Sequence, residues 1–212
     1  MSSKSSNQQP EAYFILKENI IFEEEIKKST FITYLTHIQG KEEALAYLQS
    51  IRELHPKARH HCWAYIGSSP KNDIDIGSGD DGEPKGTAGK PILACLQGLD
   101  IGEVVAVVVR YFGGIKLGTG GLVRAYSSGV SQLSKQITTK EKRFYQQFKL
   151  QCNYAQMAVI ERLLSILSGR IVEAQYLQTV EVIVEVDQEN ALSFTTQLES
   201  QTQGFVVAKK HS

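Results

Sequence analysis

The sequence predicts an α+β protein of two domains, the second a ferredoxin-like βαββαβ unit. Three observations predict it. The 212 residues, 42% hydrophobic and 22% charged, are ordinary globular composition and long enough for two small cores. In the first part, β-prone runs and helical periodicity surround two glycine-rich stretches. Beyond a polar, charged stretch at 138–143, TTKEKR, the pattern becomes a compact series of six elements. The expected organisation is a flexible polar tail over 1–12, a first domain over 13–140 and a ferredoxin-like domain over 141–212.

The elements follow in order. Ile20–Phe22 and Thr30–Ile38 are apolar runs separated by Glu23, Glu24, Glu25, Lys27 and Lys28, which reads as a hairpin with a charged turn or edge. Lys41–His55 places Ala44, Leu45, Leu48 and Ile51 on one helical face, and Pro56 ends it. His60–Ile66 has strand propensity. Residues 73–89 lose all periodicity and read as a long loop. Pro91 opens a short helix through Leu99. The unbroken valine-rich run Val104–Val109 fits a strand buried on both faces. It feeds the loop FGGIKLGTGG, Phe112–Gly121, and a helix from about Gly120 to Ile137 with Thr119 as its N-cap.

In the second domain Phe148–Cys152 is a strand and Tyr154–Ser168 a helix stopped by Gly169. Ile171–Tyr176 and Val180–Val186 are strands, the latter alternating Val180, Val182, Val184 and Val186 against Glu181 and Glu185. Asp187 caps a helix through Leu198, and Gly204–Ala208 is the last strand.

Lys and Arg total 23, as do Asp and Glu, so the net charge is zero and indiscriminate attraction to polyanions is excluded. Cys62, Cys95 and Cys152 are odd in number and form no C-x-x-C, which argues for a reducing, cytoplasmic location and against a disulfide framework or a thiolate zinc site. With no apolar h-region and no run of about 18 apolar residues, neither export nor a membrane partner is expected.

The zero hides a split. Asp73, Asp75, Asp80, Asp81 and Glu83 form an acidic loop, whereas Val104 to Lys140 holds no acid and five bases. Glycine-rich backbone at a helix start is a ready anion site, since its amides are unblocked and the helix dipole is positive there. The candidate phosphate or RNA ligands are therefore the backbone of Gly113, Gly114, Gly118, Thr119, Gly120 and Gly121, with Arg110, Lys116 and Arg124 adding charge-assisted contacts. A tight turn with solvated bases would carry the same residues. No lysine occupies the Walker A position after Gly118, which argues against a P-loop NTPase. The literal G-x-G-x-x-G at Gly77, Gly79 and Gly82 encloses Asp80 and Asp81 and precedes Glu83-Pro84, so it is no Rossmann fingerprint.

Asp80, Asp81 and Glu83 could hold magnesium, but their spacing matches no calcium loop and turn formation is the preferred reading. Arg59, His60, His61 and Lys90 are further candidates to line a polar cleft between the two loops. Adjacent residues on a strand face opposite ways, so His60 and His61 cannot share a site, and Cys62 adds at most a second ligand. Trp63, Tyr65, Tyr111, Phe112 and Tyr126 lie nearby; exposed aromatics beside bases would suit base stacking, although Tyr126 fits the buried helix stripe. No motif demands a metal or cofactor, and no hydrolase motif occurs.

Arg59-His60-His61-Cys62-Trp63-Ala64, Ser78 with Asp80-Asp81-Gly82-Glu83-Pro84 and Gly86–Pro91, and Val107–Gly114 with Leu117–Tyr126 together resemble the IMPACT family. The overall arrangement resembles its bacterial YigZ-like branch, over nearly the whole chain. The resemblance implies that the first domain is an α/β sandwich like the second domain of a small-subunit ribosomal protein, a fold shared with RNase PH, GHMP kinases and elongation factor G. It implies a second domain like the ferredoxin-like fifth domain of that factor. Eukaryotic members restrain a translational kinase through an RWD domain that has no counterpart in this sequence, so that pathway is not carried over. For the bacterial branch the resemblance implies RNA or ribosome association, without agreed catalytic residues. The leading expectation is a nonenzymatic cytoplasmic binding protein in translation or its regulation, with RNA, the ribosome or a translation-related protein as partner. The alternatives are an enzyme acting on a phosphorylated small molecule or nucleotide at Gly113–Gly121, and a protein-docking adaptor.

Overall fold

The computed structural model describes residues 10–211; most of the expected polar tail, residues 1–9, lies outside the described residues. The described chain forms two compact units, one of residues 13–142 and the other of residues 143–211 together with 10–12. Among the described residues no helix is long and apolar enough to cross a membrane.

The first unit opens with a short strand, β1 (Tyr13–Leu16), and a hairpin of β2 (Ile20–Ile26) and β3 (Ser29–His37). Lys27 and Lys28 turn the hairpin with φ of 48° and 64°, the paired left-handed conformation that matches strand twist. Glu23, Glu24 and Glu25 therefore belong to β2 itself, an edge strand whose charges discourage further pairing. Then come α1 (Gly40–Leu54), β4 (His60–Ile66), β5 (Ile76–Gly79), α2 (Gly89–Gln97), β6 (Ile101–Gly102), β7 (Val104–Tyr111), α3 (Thr119–Leu133) and β8 (Thr139–Lys142). The charged stretch at the division is not a free linker, because β8 pairs antiparallel with β1.

The main sheet is antiparallel throughout, in the order β2-β3-β7-β4-β5. Its centre, β7, is buried on both faces. Val104, Ala106 and Val108 pack with Ile92 and Leu96 of α2 and with Tyr126 and Val130 of α3. Val105, Val107 and Val109 pack with Leu48 and Ile51 of α1. One helix on one face and two on the other give the α/β sandwich.

Strand β5 corrects the expected long loop. Its glycines carry no strand propensity, but Trp63 and Tyr65 lie opposite Gly79 and Gly77 and stack on each other, centroids 6.0 Å apart. A Cβ on Gly79 would sit 2.5 Å from the Trp63 indole nitrogen, and one on Gly77 would sit 2.5 Å from the Tyr65 ring. The literal G-x-G-x-x-G is thus partly a strand shaped to underlie two aromatic rings.

The second unit contains β9 (Tyr145–Cys152), α4 (Tyr154–Ile166), β10 (Arg170–Tyr176), β11 (Val180–Asp187), α5 (Ala191–Gln201) and β12 (Lys209–His211). Its antiparallel sheet has the order β10-β11-β9-β12, the ferredoxin-like arrangement. Phe148, Leu150, Val182 and Val184 face Ile160, Leu163, Phe194 and Leu198 of the two helices. Three local expectations shift. Ser168 (φ 53°), not Gly169, takes the left-handed position after α4, and Gly169 is required because a Cβ there would lie 2.6 Å from Leu164 Cδ2 and 2.9 Å from the Glu185 carbonyl. Asp187 caps a 3-10 turn over Gln188–Asn190 by accepting from the Glu189 amide, ahead of α5. The last strand is Lys209–His211, since Gly204 (φ 78°) is still turning the chain.

Candidate functional site

The acidic loop is occupied from within. Asp80 accepts from the amides of Gly86 (2.7 Å), Ala88 (3.0 Å) and Gly89 (2.8 Å), so its carboxylate closes the turn that starts α2. Burial alone would raise its pKa, but these amides, with Lys90 nearby, outweigh burial and hold it below the ordinary value. Asp81 (φ 42°) accepts from Arg52 Nη2 at 2.9 Å and from the His61 amide at 2.7 Å. Buried Glu83 accepts from Arg110 Nη1 at 2.6 Å and from the Tyr126 hydroxyl at 2.7 Å. The three carboxylates thus serve three separate sets of partners. Among the described residues no group of three or more His, Cys, Asp or Glu is placed to hold a metal ion.

The histidines of β4 separate as strand geometry dictates. His60 Nδ1 is 2.9 Å from the Asp81 carbonyl, and its Nε2 lies 3.9 Å from Glu83. His61 points to the other face and meets the His55 carbonyl at 3.2 Å. Cys62 is fully buried on the His60 side with its Sγ 2.9 Å from the Asp80 carbonyl. Burial pushes its thiol well up, so it is no thiolate nucleophile. The Tyr126 phenol is likewise pushed up, by burial first and then by Cys62 and Glu83.

The basic loop is open. Gly114 and Gly118 take φ of 87° and 73°, and a Cβ at either would touch nothing within 4 Å. Gly118, not Thr119, is the N-cap of α3, and no side chain caps the helix. The first α3 amide with an acceptor is Leu122, bonded to the Gly118 carbonyl at 2.9 Å. The N–H groups of Thr119, Gly120 and Gly121 therefore have no partner among the described residues. Nothing lies within 4 Å of a Cβ on Gly120. Exposed Lys116 stands beside this helix start.

The two loops meet at a cavity of about 320 Å³. Glu83 and Pro84 contribute from the acidic loop, and Lys116, Gly118 and Thr119 from the basic one. The expected cleft was polar, but Phe112, Leu117, Leu122 and Pro84 make its wall largely apolar. Arg110 also lines it, as part of the scaffold: its side chain is only 7% exposed, paired with Glu83, and its guanidinium lies 5.5 Å from the ring centroids of both Phe31 and Phe112.

Other candidates stand apart from the cavity. Gly113 serves the fold, since its amide donates to Ser29 Oγ and a Cβ would fall 1.7 Å from the Lys28 carbonyl oxygen. Arg124 is exposed on α3 and does not line the cavity; Arg59 and Lys90 are exposed, Asp80 and Asp81 build the acidic loop, and His60 and His61 of β4 contact it. Pro84, Leu117 and Leu122 were not anticipated as walls, because their convergence is tertiary. The sequence marks His55 only as a helix end, yet its ring joins the hydroxyls of Tyr34 (2.6 Å) and Tyr111 (2.9 Å), tying β3 and β7 to the end of α1.

Comparison with known proteins agrees with this architecture. Residues 27–134 match the Impact N-terminal domain, and residues 150–204 match a domain of unknown function, DUF1949. An IMPACT family member of Haemophilus influenzae is 45% identical over 195 residues, covering 92% of this chain and 95% of that protein. The IMPACT family member YigZ of Escherichia coli is 45% identical over 194 residues, with coverage of 92% and 95%. A solved structure described as a crystal structure of a hypothetical protein is 43% identical with a TM-score of 0.67, covering 96% of this chain and 99% of that one. These family names fit a regulatory or binding role. The chain belongs to the IMPACT family.

Proposed function

We propose that this protein is a nonenzymatic RNA-binding protein of translation or its regulation, holding RNA phosphate at the start of α3. The observation that carries the proposal is the set of unpartnered amides of Thr119, Gly120 and Gly121 beside Lys116, in a stretch free of acid from Val104 to Lys140. Anions bind such helix starts because the amides point at them and the dipole favours negative charge. The enzymatic alternative would need a loop carboxylate free for proton or metal work, and Asp80, Asp81 and Glu83 are each held by internal donors.

The test is a salt titration of single-stranded RNA binding by fluorescence anisotropy. Each phosphate contact contributes about 0.7 to the slope of log affinity against log salt for single strands. Lys116→Ala should flatten the slope by about that amount, while Arg124→Ala, which lies off the cavity, should leave it unchanged. Salt-independent binding, or equal slopes for wild type and Lys116→Ala, would remove the proposal.

A further inference from the structure

We infer that the cavity at the root of the 112–121 loop takes one nucleobase stacked on Phe112, next to the phosphate held by the α3 amides; this rests on the RNA reading above. A phosphate alone does not explain the cavity. The walls from Phe112, Leu117, Leu122 and Pro84 are apolar, and a hydrated anion gains nothing from them. Its volume of about 320 Å³ sits at the low end of small-molecule sites, about 300–1,000 Å³. That suits a single flat group with its sugar. Phe112 is 55% exposed, so its ring is available for a base to cover. Its ring is already oriented by the Arg110 guanidinium 5.5 Å from the centroid, so stacking need not first order it.

A second observation is independent of the loop. Arg110 Nε is a buried donor without an acceptor among the described residues, on a side chain 93% buried that lines this same cavity. The neighbouring Nη1 is taken by Glu83. Buried donors are rarely left unpaired, and a carbonyl oxygen or ring nitrogen on a base edge is an acceptor of the right kind.

The experiment is isothermal calorimetry of the full chain with the four ribonucleoside 5′-monophosphates and with ribose 5-phosphate. Stacking predicts that the best nucleotide binds at least about fivefold tighter than ribose 5-phosphate. Phe112→Ala should abolish that preference, and Phe112→Tyr should retain it. Thermal melting of both variants checks that the fold survives, as the exposure of Phe112 leads one to expect. Equal affinities for nucleotides and ribose 5-phosphate, no binding of either, or a preference that survives Phe112→Ala overturns the inference. If RNA still binds with the Lys116-dependent salt slope in any of those cases, only the base pocket fails; if RNA does not bind either, both readings fall.

Discussion

The 80–89 loop and the 112–121 loop border one cavity, yet their polar groups end in different places. In the acidic loop each carboxylate already has donors: three amides for Asp80, Arg52 and the His61 amide for Asp81, Arg110 and Tyr126 for Glu83. In the basic loop the first amides of α3 have none, and Gly114, Gly118 and Gly120 face open space. Charge density alone would rank both loops as sites. The difference lies in satisfaction: a polar group with partners builds the scaffold, and one without them is available to a ligand. Removing the carboxylates of the first loop should accordingly harm stability, and blocking the free amides of the second should harm binding.

The largest expected effect is at Glu83. Glu83→Gln leaves Arg110 buried without its counter-charge, and breaking a buried pair from one side costs about 3–5 kcal/mol. Urea denaturation reads the loss. A double variant, Glu83→Leu with Arg110→Met, should recover much of it, because no buried charge then remains. If Glu83→Gln is neutral, the acidic loop is not the scaffold described.

Asp80 comes next. Replacing it with Ala removes three amide contacts to a carboxylate and should cost about 2–3 kcal/mol. The pH dependence has a definite sign. The folded carboxyl is held below its ordinary value, so its stabilisation is complete above about pH 4 and is lost as pH falls through the lower folded value. The wild-type urea midpoint should therefore drop on acidification below about pH 4 more steeply than that of Asp80→Ala.

Much of the fold was legible. The run Val104–Val109 announced two-faced burial, and the alternation of Val180, Val182, Val184 and Val186 announced a one-faced strand, because burial writes itself into side-chain periodicity. Strand β5 was not legible, since Gly77 and Gly79 carry no side-chain signal and owe their strand to Trp63 and Tyr65 on β4. At the site, the open helix start could be read from consecutive glycines. The pairing of Arg110 could not: Glu83, which takes its Nη1, lies 27 positions away, and only folding brings the two together.

Gly118→Ala separates conformation from contact within the open loop. With φ 73° and ψ 166° Gly118 occupies a region that is essentially glycine's alone, so a Cβ costs about 1–3 kcal/mol there although nothing else lies within 4 Å. Thermal melting should show that loss, in contrast to Gly113→Ala, where a 1.7 Å approach to the Lys28 carbonyl demands a larger one.

The smallest stability effect is the most telling, because its sign opposes its effect on binding. Gly120 is the second residue of α3, within ordinary helix, and has open space where a Cβ would stand. Alanine is the better helix former, so Gly120→Ala should leave stability unchanged or raise it by about 0.5 kcal/mol. Because helical Cβ atoms tilt toward the N-terminus, the same methyl should crowd a phosphate held by the amides of Thr119, Gly120 and Gly121. RNA affinity should therefore fall while the melting temperature holds or rises. A glycine kept only to make a turn would show no such opposition: its replacement would cost stability first, and binding only as a consequence. Anisotropy and melting on one sample decide between them, and an unchanged affinity would place the phosphate somewhere other than this helix start.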